Sequence, residues 1–217
     1  MSVVLFDLDG TLVETAQDLG AALNIQLVMH GKEPLAQETI RPIASHGSRG
    51  LLELGFGLSV SDANFIKMRD EYLAIYDEVL THSPALFVGM DDVLNIFESK
   101  GIPWGIVTNK PRRFTTPIMQ VMGLDKRAGC VICGDDAAQP KPHPATLLMA
   151  CDALRVAARD CIYIGDAARD IEAGIAAGMK TAVAVYGYLS ESDQPAEWGA
   201  DYLINTPKDI IQLIEMI

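Results

Sequence analysis

With 217 residues, 49% of them apolar, the chain has room for one large domain, or for a core with a smaller insert. Its net charge of −12 and pI near 4.6 argue against nucleic acid and anionic membrane as partners. No stretch has the length of a transmembrane helix. The N-terminus lacks both the basic region and the apolar length of a signal peptide, so a cytoplasmic location is expected.

The chain opens with Val3-Val4-Leu5-Phe6, a short apolar run read as a buried strand, which breaks into Asp7-Leu8-Asp9-Gly10-Thr11. Two carboxylates at a buried strand end are costly unless a cation or a proton compensates them. After Thr11 the pattern turns helical, with Leu19, Ala22, Leu23, Gln26 and Leu27 on one face and His30-Gly31 ending the run. Further helices are expected over Ala36–Ser45, Ser48–Phe56 and Asp62–Leu80, the last N-capped by Ser61. Nothing between Thr15 and Leu80 reads as a strand. The expected organisation is a core of residues 1–14 and 84–217, with residues 15–83 as an inserted all-helical unit.

From Ser83-Pro84 helices and strands alternate. Helices are read at Met90–Lys100, Arg112–Met122, Ala145–Leu154 and Ala168–Ala177, with a last one from Thr206-Pro207 to the C-terminus. Strands are read at Trp104–Thr108, Val131–Cys133, Cys161–Ile164, Thr181–Val185 and Tyr202–Ile204. This alternation predicts an α/β fold with a doubly wound parallel sheet, which binds ligands at the carboxyl ends of its strands. The helical insert follows the first acid loop, so it would hang over that edge. Cys130 and Cys133 form a C-x-x-C, but no second pair completes a zinc site. With Cys151 and Cys161 they are expected to be reduced and packed.

Polar residues recur at the strand ends. Thr108-Asn109-Lys110 follows one strand, and Gly165-Asp166 another, with Asp170 one helical turn on. Lys141 sits between two prolines just before a helix. Singly, each is ordinary: a turn, an N-cap, a solvated lysine, an exposed acid. Together they place four loops on one edge. Oxygen-only ligands with room for water and phosphate favour Mg²⁺ over zinc. The metal and Lys141 would neutralise a phosphate ester, and Thr108 would hold its equatorial oxygens. Asp7 would then attack phosphorus, while Asp9 protonates the leaving alkoxide and later activates water.

These motifs resemble the haloacid dehalogenase superfamily of phosphatases. Asp7-Leu8-Asp9-Gly10-Thr11 is similar to its first motif, Thr108 to the second, Lys141 to the third, and Gly165-Asp166 with Asp170 to the fourth. The resemblance implies Asp7 as nucleophile and Asp9 as acid/base. It implies Mg²⁺ bound by Asp7, Asp166 and the carbonyl of Asp9, with Asp170 in support, and a type 1 cap in the insert. It is strongest to the branch of phosphoglycolate and N-acetylmuramic acid 6-phosphate phosphatases. The expected substrate is a small phosphorylated metabolite, phosphoglycolate first and N-acetylmuramic acid 6-phosphate as alternative, for a monomer or homodimer. A phosphomutase with the same cap type stays open. A receiver-type phosphoacceptor has no use for Asp9, and a dehalogenase would lack it. Glu14 stands where the branch commonly has Asp, read as tolerated linker variation. In the cap, His46-Gly47-Ser48-Arg49-Gly50 is read as a polar loop in which Ser48 and Arg49 face substrate, with Asn109 beside Thr108. The alternative makes Ser48 an N-cap and Arg49 a solvated side chain.

Overall fold

The computed structural model describes residues 3–216. The elements in chain order are β1 (Val3–Phe6), β2 (Val13–Glu14), α1 (Ala16–Met29), α2 (Gln37–Ile40), a 3₁₀ strap (Arg41–His46), α3 (Gly47–Phe56), α4 (Phe65–Val79) and β3 (Ala85–Leu86). They continue with α5 (Met90–Lys100), β4 (Trp104–Val107), α6 (Arg112–Val121), β5 (Val131–Ile132), α7 (Ala145–Leu154), β6 (Cys161–Gly165), α8 (Ala168–Ala177), β7 (Lys180–Ala184), β8 (Tyr202–Ile204) and α9 (Asp209–Met216).

Six strands form one parallel sheet in the order β5-β4-β1-β6-β7-β8. All four β1 residues are buried, as are all of β4 and β6. These strands are covered on both faces, which is why they read as unbroken apolar runs. One face packs through Val4, Phe6, Ile106, Ile162 and Ile164, the other through Val3, Leu5, Val107, Cys161 and Tyr163. The chain runs outward from β1 through β4 to β5, then returns to the other flank for β6 to β8. The loops after β1, β4 and β6 therefore diverge around one crevice at the carboxyl edge.

Helices α1, α3 and α4 pack on one another between the short strands β2 and β3, which pair antiparallel through Val13–Leu86 and Glu14–Ala85. On α4 the buried residues Phe65, Met68, Tyr72, Tyr76 and Val79 follow the helical period, and α1 buries Leu19, Ala22, Leu23, Gln26 and Leu27. The buried Gln26 amide donates to the Met68 carbonyl and to Glu71, 2.9 Å each, and so locks α1 to α4.

Several boundaries differ from those read in the sequence. Helix α4 starts at Phe65 rather than Asp62, and Ser61 is not its cap. The Asp62 carboxylate accepts from the Ser59 N–H at 2.7 Å and from the Ser59 hydroxyl at 2.9 Å. That local turn competes with helix initiation. The stretch expected as helix over Ala36–Ser45 divides into α2 and the 3₁₀ strap, where Pro42 sits at the strap's start. The stretch 46–50 is not a loop. Helix α3 begins at Gly47, so Ser48 lies inside its first turn rather than at the cap. The last helix begins at Asp209, whose carboxylate accepts from the Thr206 N–H at 2.8 Å, and Ile217 lies outside the described residues. All four cysteines are free thiols, with Cys133, Cys151 and Cys161 buried and Cys130 half-buried. No helix among the described residues is long and apolar enough to cross a membrane.

Candidate active site

Each loop at the carboxyl edge contributes to one cluster. Asp7 leaves the end of β1, Asp166 follows β6, and Asp170 stands in the first turn of α8. All three are buried, and each offers an oxygen within 4.8 Å of the others. Gly10 makes this approach feasible. Its φ is +80°, and a Cβ there would lie 2.1 Å from Asp166 Oδ2. The loop after β1 can therefore rest against Asp166 only with glycine at position 10.

Lys141 reaches the cluster from the loop before α7. Its ammonium lies 3.0 Å from Asp7 Oδ1 and 2.7 Å from Asp170 Oδ1, and it donates to Tyr163 Oη at 2.6 Å and to the Val107 carbonyl at 3.2 Å. These neighbours account for its three protons. Burial pushes Lys141 down, but Asp170 and Asp7 more than offset it and hold the ammonium above its ordinary value. Burial raises Asp7 to about 6, against the pull of Lys141 and with the push of Asp170 and Asp9. Burial and then the charges of Asp170 and Asp7 raise Asp166 to about 7. Asp7 Oδ1 and Asp170 Oδ1 are buried, and both lie against the Lys141 ammonium. Three crowded, desolvated carboxylates that share one lysine fit a hard divalent cation.

Asp9 is placed differently. It is half-buried, and its Oδ1 accepts from Lys110 Nζ at 2.8 Å and from the Thr15 hydroxyl. Thr108 is buried at the end of β4, where its hydroxyl oxygen accepts from the Lys110 N–H at 3.1 Å, which leaves its own proton free to donate. Through its side-chain hydrogen bonds Asn109 braces the Lys141 loop. Its Nδ2 donates to the Lys141 carbonyl and its Oδ1 accepts from the Lys141 N–H, both at 2.9 Å.

Asp7, Asp9, Thr108 and Asn109 line a cavity of about 520 Å³ together with Ser48 and Arg49 of α3. The structure thus brings these six together, with Lys141, Asp166 and Asp170 set behind Asp7. It also adds residues that sequence reasoning passed over. Lys110, which engages Asp9, is adjacent to the Thr108 motif. Arg169, just before Asp170, also lines the cavity, and a cation inside an acidic motif was the available signal. Arg69, Tyr72 and Tyr76 come from α4, where helical periodicity alone reads the tyrosines as core. Glu14, expected as idle linker variation, accepts from Tyr188 Oη at 2.6 Å and pairs with Arg41 at 3.0 Å.

The pattern of the family described as haloacid dehalogenase-like hydrolase matches residues 4–184. An N-acetylmuramic acid 6-phosphate phosphatase of Pseudomonas aeruginosa is 38% identical over 215 residues, 99% of this chain and 95% of that protein. A phosphoglycolate phosphatase of Xanthomonas campestris pv. campestris is 40% identical over 207 residues, 95% of this chain and 93% of that protein. A crystal structure from Haemophilus somnus, described as a predicted phosphoglycolate phosphatase, superposes with a TM-score of 0.83 at 24% identity, covering 99% of this chain and 98% of that one. At that identity the structural likeness speaks for the fold, and the sequence matches along nearly the whole length place the chain in the haloacid dehalogenase-like hydrolase family.

Proposed function

We propose that the protein is a Mg²⁺-dependent phosphatase that hydrolyses a small phosphorylated metabolite through an aspartyl-phosphate on Asp7. The observation that carries this reading is the meeting of three buried carboxylates with Lys141 at the edge where Asp9 and Thr108 also open into the cavity. Asp7, Asp166 and Asp170 would hold the metal, together with the Asp9 carbonyl. When bound, Mg²⁺ would offset carboxylate charge and draw the phosphate against Asp7. Asp7 Oδ attacks phosphorus in line with the leaving oxygen. Lys141 keeps Asp7 ionised and oriented, and Thr108 donates to an equatorial phosphate oxygen. Asp9 must leave Lys110 and Thr15 to protonate the leaving oxygen, and then takes a proton from the water that splits the phosphoenzyme.

In this reading residues 15–83 act as a cap over a core of 1–14 and 84–217, and Arg49 recognises an anionic group on the leaving side. A carboxylate-bearing ester is the class both named relatives suggest, phosphoglycolate first. N-acetylmuramic acid 6-phosphate is the second reading, favoured by a cavity of about 520 Å³ that a two-carbon acid would fill only in small part. A panel of phosphoglycolate, N-acetylmuramic acid 6-phosphate, sugar phosphates and p-nitrophenyl phosphate tests this, run on the wild type and on Asp7→Asn. The expected result is turnover of a carboxylate-bearing ester that Asp7→Asn abolishes. Retained turnover in the variant rejects the nucleophile.

A further inference from the structure

The strap Arg41–His46 touches the core at both of its ends. At one end Arg41 pairs with Glu14 and donates to the Gly187 and Tyr186 carbonyls at 3.2 and 3.3 Å. At the other, the Ser45 hydroxyl donates to Asp166 Oδ2 at 2.6 Å, and Arg169 Nη2 donates back to the Ser45 carbonyl at 2.5 Å. The second contact ties the helical block directly to a carboxylate of the acidic cluster.

The two oxygens of Asp166 are treated unequally. Oδ2 receives both the Ser45 hydroxyl and the Tyr188 N–H, the latter at 3.0 Å. Oδ1 has only a 3.4 Å contact from the Thr11 hydroxyl. Asp7 and Asp170 each lie against the Lys141 ammonium, whereas no ion pair reaches Asp166 among the described residues. Asp166 is thus held by neutral donors, which fix its orientation without cancelling its charge. Two donors on Oδ2 fix the rotation of the carboxylate and leave Oδ1 the less engaged oxygen.

We propose that Ser45 is a positioning residue for the metal, so that docking of the strap on the core and cation affinity at Asp166 reinforce each other. The proposal rests on the metal reading given above. Linkage requires the effect to be reciprocal: a strap that favours the cation is itself held by the cation. The helical block would then be more firmly docked in the loaded protein than in the metal-free one.

The test is a Mg²⁺ titration of the full chain, followed by calorimetry and by thermal unfolding, for the wild type, Ser45→Ala and Ser45→Thr. Ser45→Ala should weaken Mg²⁺ binding about tenfold, at the lower end of what losing an outer partner of a metal ligand costs. Ser45→Thr, which keeps the hydroxyl, should stay within about twofold of wild type on the same basis. At saturating Mg²⁺ the kcat of Ser45→Ala on p-nitrophenyl phosphate should recover. Hydrogen exchange at the amides of residues 41 and 43–46 should slow on adding Mg²⁺ to the wild type and not to Ser45→Ala. A Ser45→Ala protein with wild-type Mg²⁺ affinity overturns the proposal, as does an equal loss of Tm with and without the metal. A wild type that ignores Mg²⁺ overturns the metal reading and this proposal together.

Discussion

Asp7 and Asp9 are two residues apart, yet they meet different surroundings. Asp7 is buried against Lys141, while Asp9 is half-buried and held by Lys110 and Thr15. If Asp9 moves protons, its loss should depend on the leaving group. An alkoxide needs a proton to leave, whereas p-nitrophenolate does not. Asp9→Asn should therefore slow an alkyl phosphate by about 10²–10⁴-fold. With p-nitrophenyl phosphate it should give a burst of nitrophenol, because the phosphoenzyme then waits for an activated water. Equal losses on both esters and no burst would reject the role. Asn109 illustrates what the sequence conveys of single residues. Its place after Thr108 marks it as part of the site, but its partner is the main chain of Lys141, 32 residues on. No local pattern announces such a brace. Asn109→Ala removes both hydrogen bonds, worth about 1 kcal/mol each, so kcat/KM should fall roughly 10–30-fold. If it is a brace, the loss should appear in kcat, with KM little changed.

At the scale of elements, the helices and the buried strands were legible because each has a long-lived period or an unbroken apolar run. The pair β2–β3 was not, since two residues per strand carry no periodicity. Most of the strap, up to Ser45, reads as part of a helix, because nothing in Arg41-Pro42-Ile43-Ala44-Ser45 shows that its ends dock on distant loops. The aromatic clasp at the junction was hidden for the same reason. Tyr188 Oη accepts from the Thr15 and Ala16 N–H groups and donates to Glu14, while the Arg41 guanidinium lies 5.0 Å from the Tyr188 ring centre. Here Glu14 joins both partners, one carboxylate oxygen on Tyr188 and the other on Arg41. Glu14→Ala leaves the Tyr188 proton and the Arg41 guanidinium each short of a partner. The expected loss is about 1–2 kcal/mol, read as a lower urea midpoint with an unchanged m value. A midpoint equal to wild type would return Glu14 to the status of idle variation.

At the scale of the whole molecule, the parallel sheet and its loaded edge followed from the alternation of elements, whereas the order of its strands depends on pairings far apart in sequence. The larger problem is charge. A chain with a net charge of −12 gathers three carboxylates in its interior and sets against them Lys141 in direct contact and Arg169 alongside. Without a divalent cation this arrangement opposes folding, because buried like charges repel and have lost their water. The loaded and empty proteins should therefore differ in stability. At a Mg²⁺ concentration 100 times its Kd, binding to the folded chain alone adds about 2.7 kcal/mol. For a chain of this size that is a rise in Tm of roughly 5–11 °C. Asp166→Asn should separate the two effects. It keeps an oxygen to accept from Ser45 and Tyr188 but removes one of the repelling charges, so the metal-free variant should melt a few degrees above the metal-free wild type. It should also lose the rise with Mg²⁺ and the phosphatase activity. Thermal scans of both proteins in chelator and in excess Mg²⁺ check all of these. A wild-type Tm that ignores the metal, or a variant that keeps the full rise, would show that the acidic cluster is not where the cation acts.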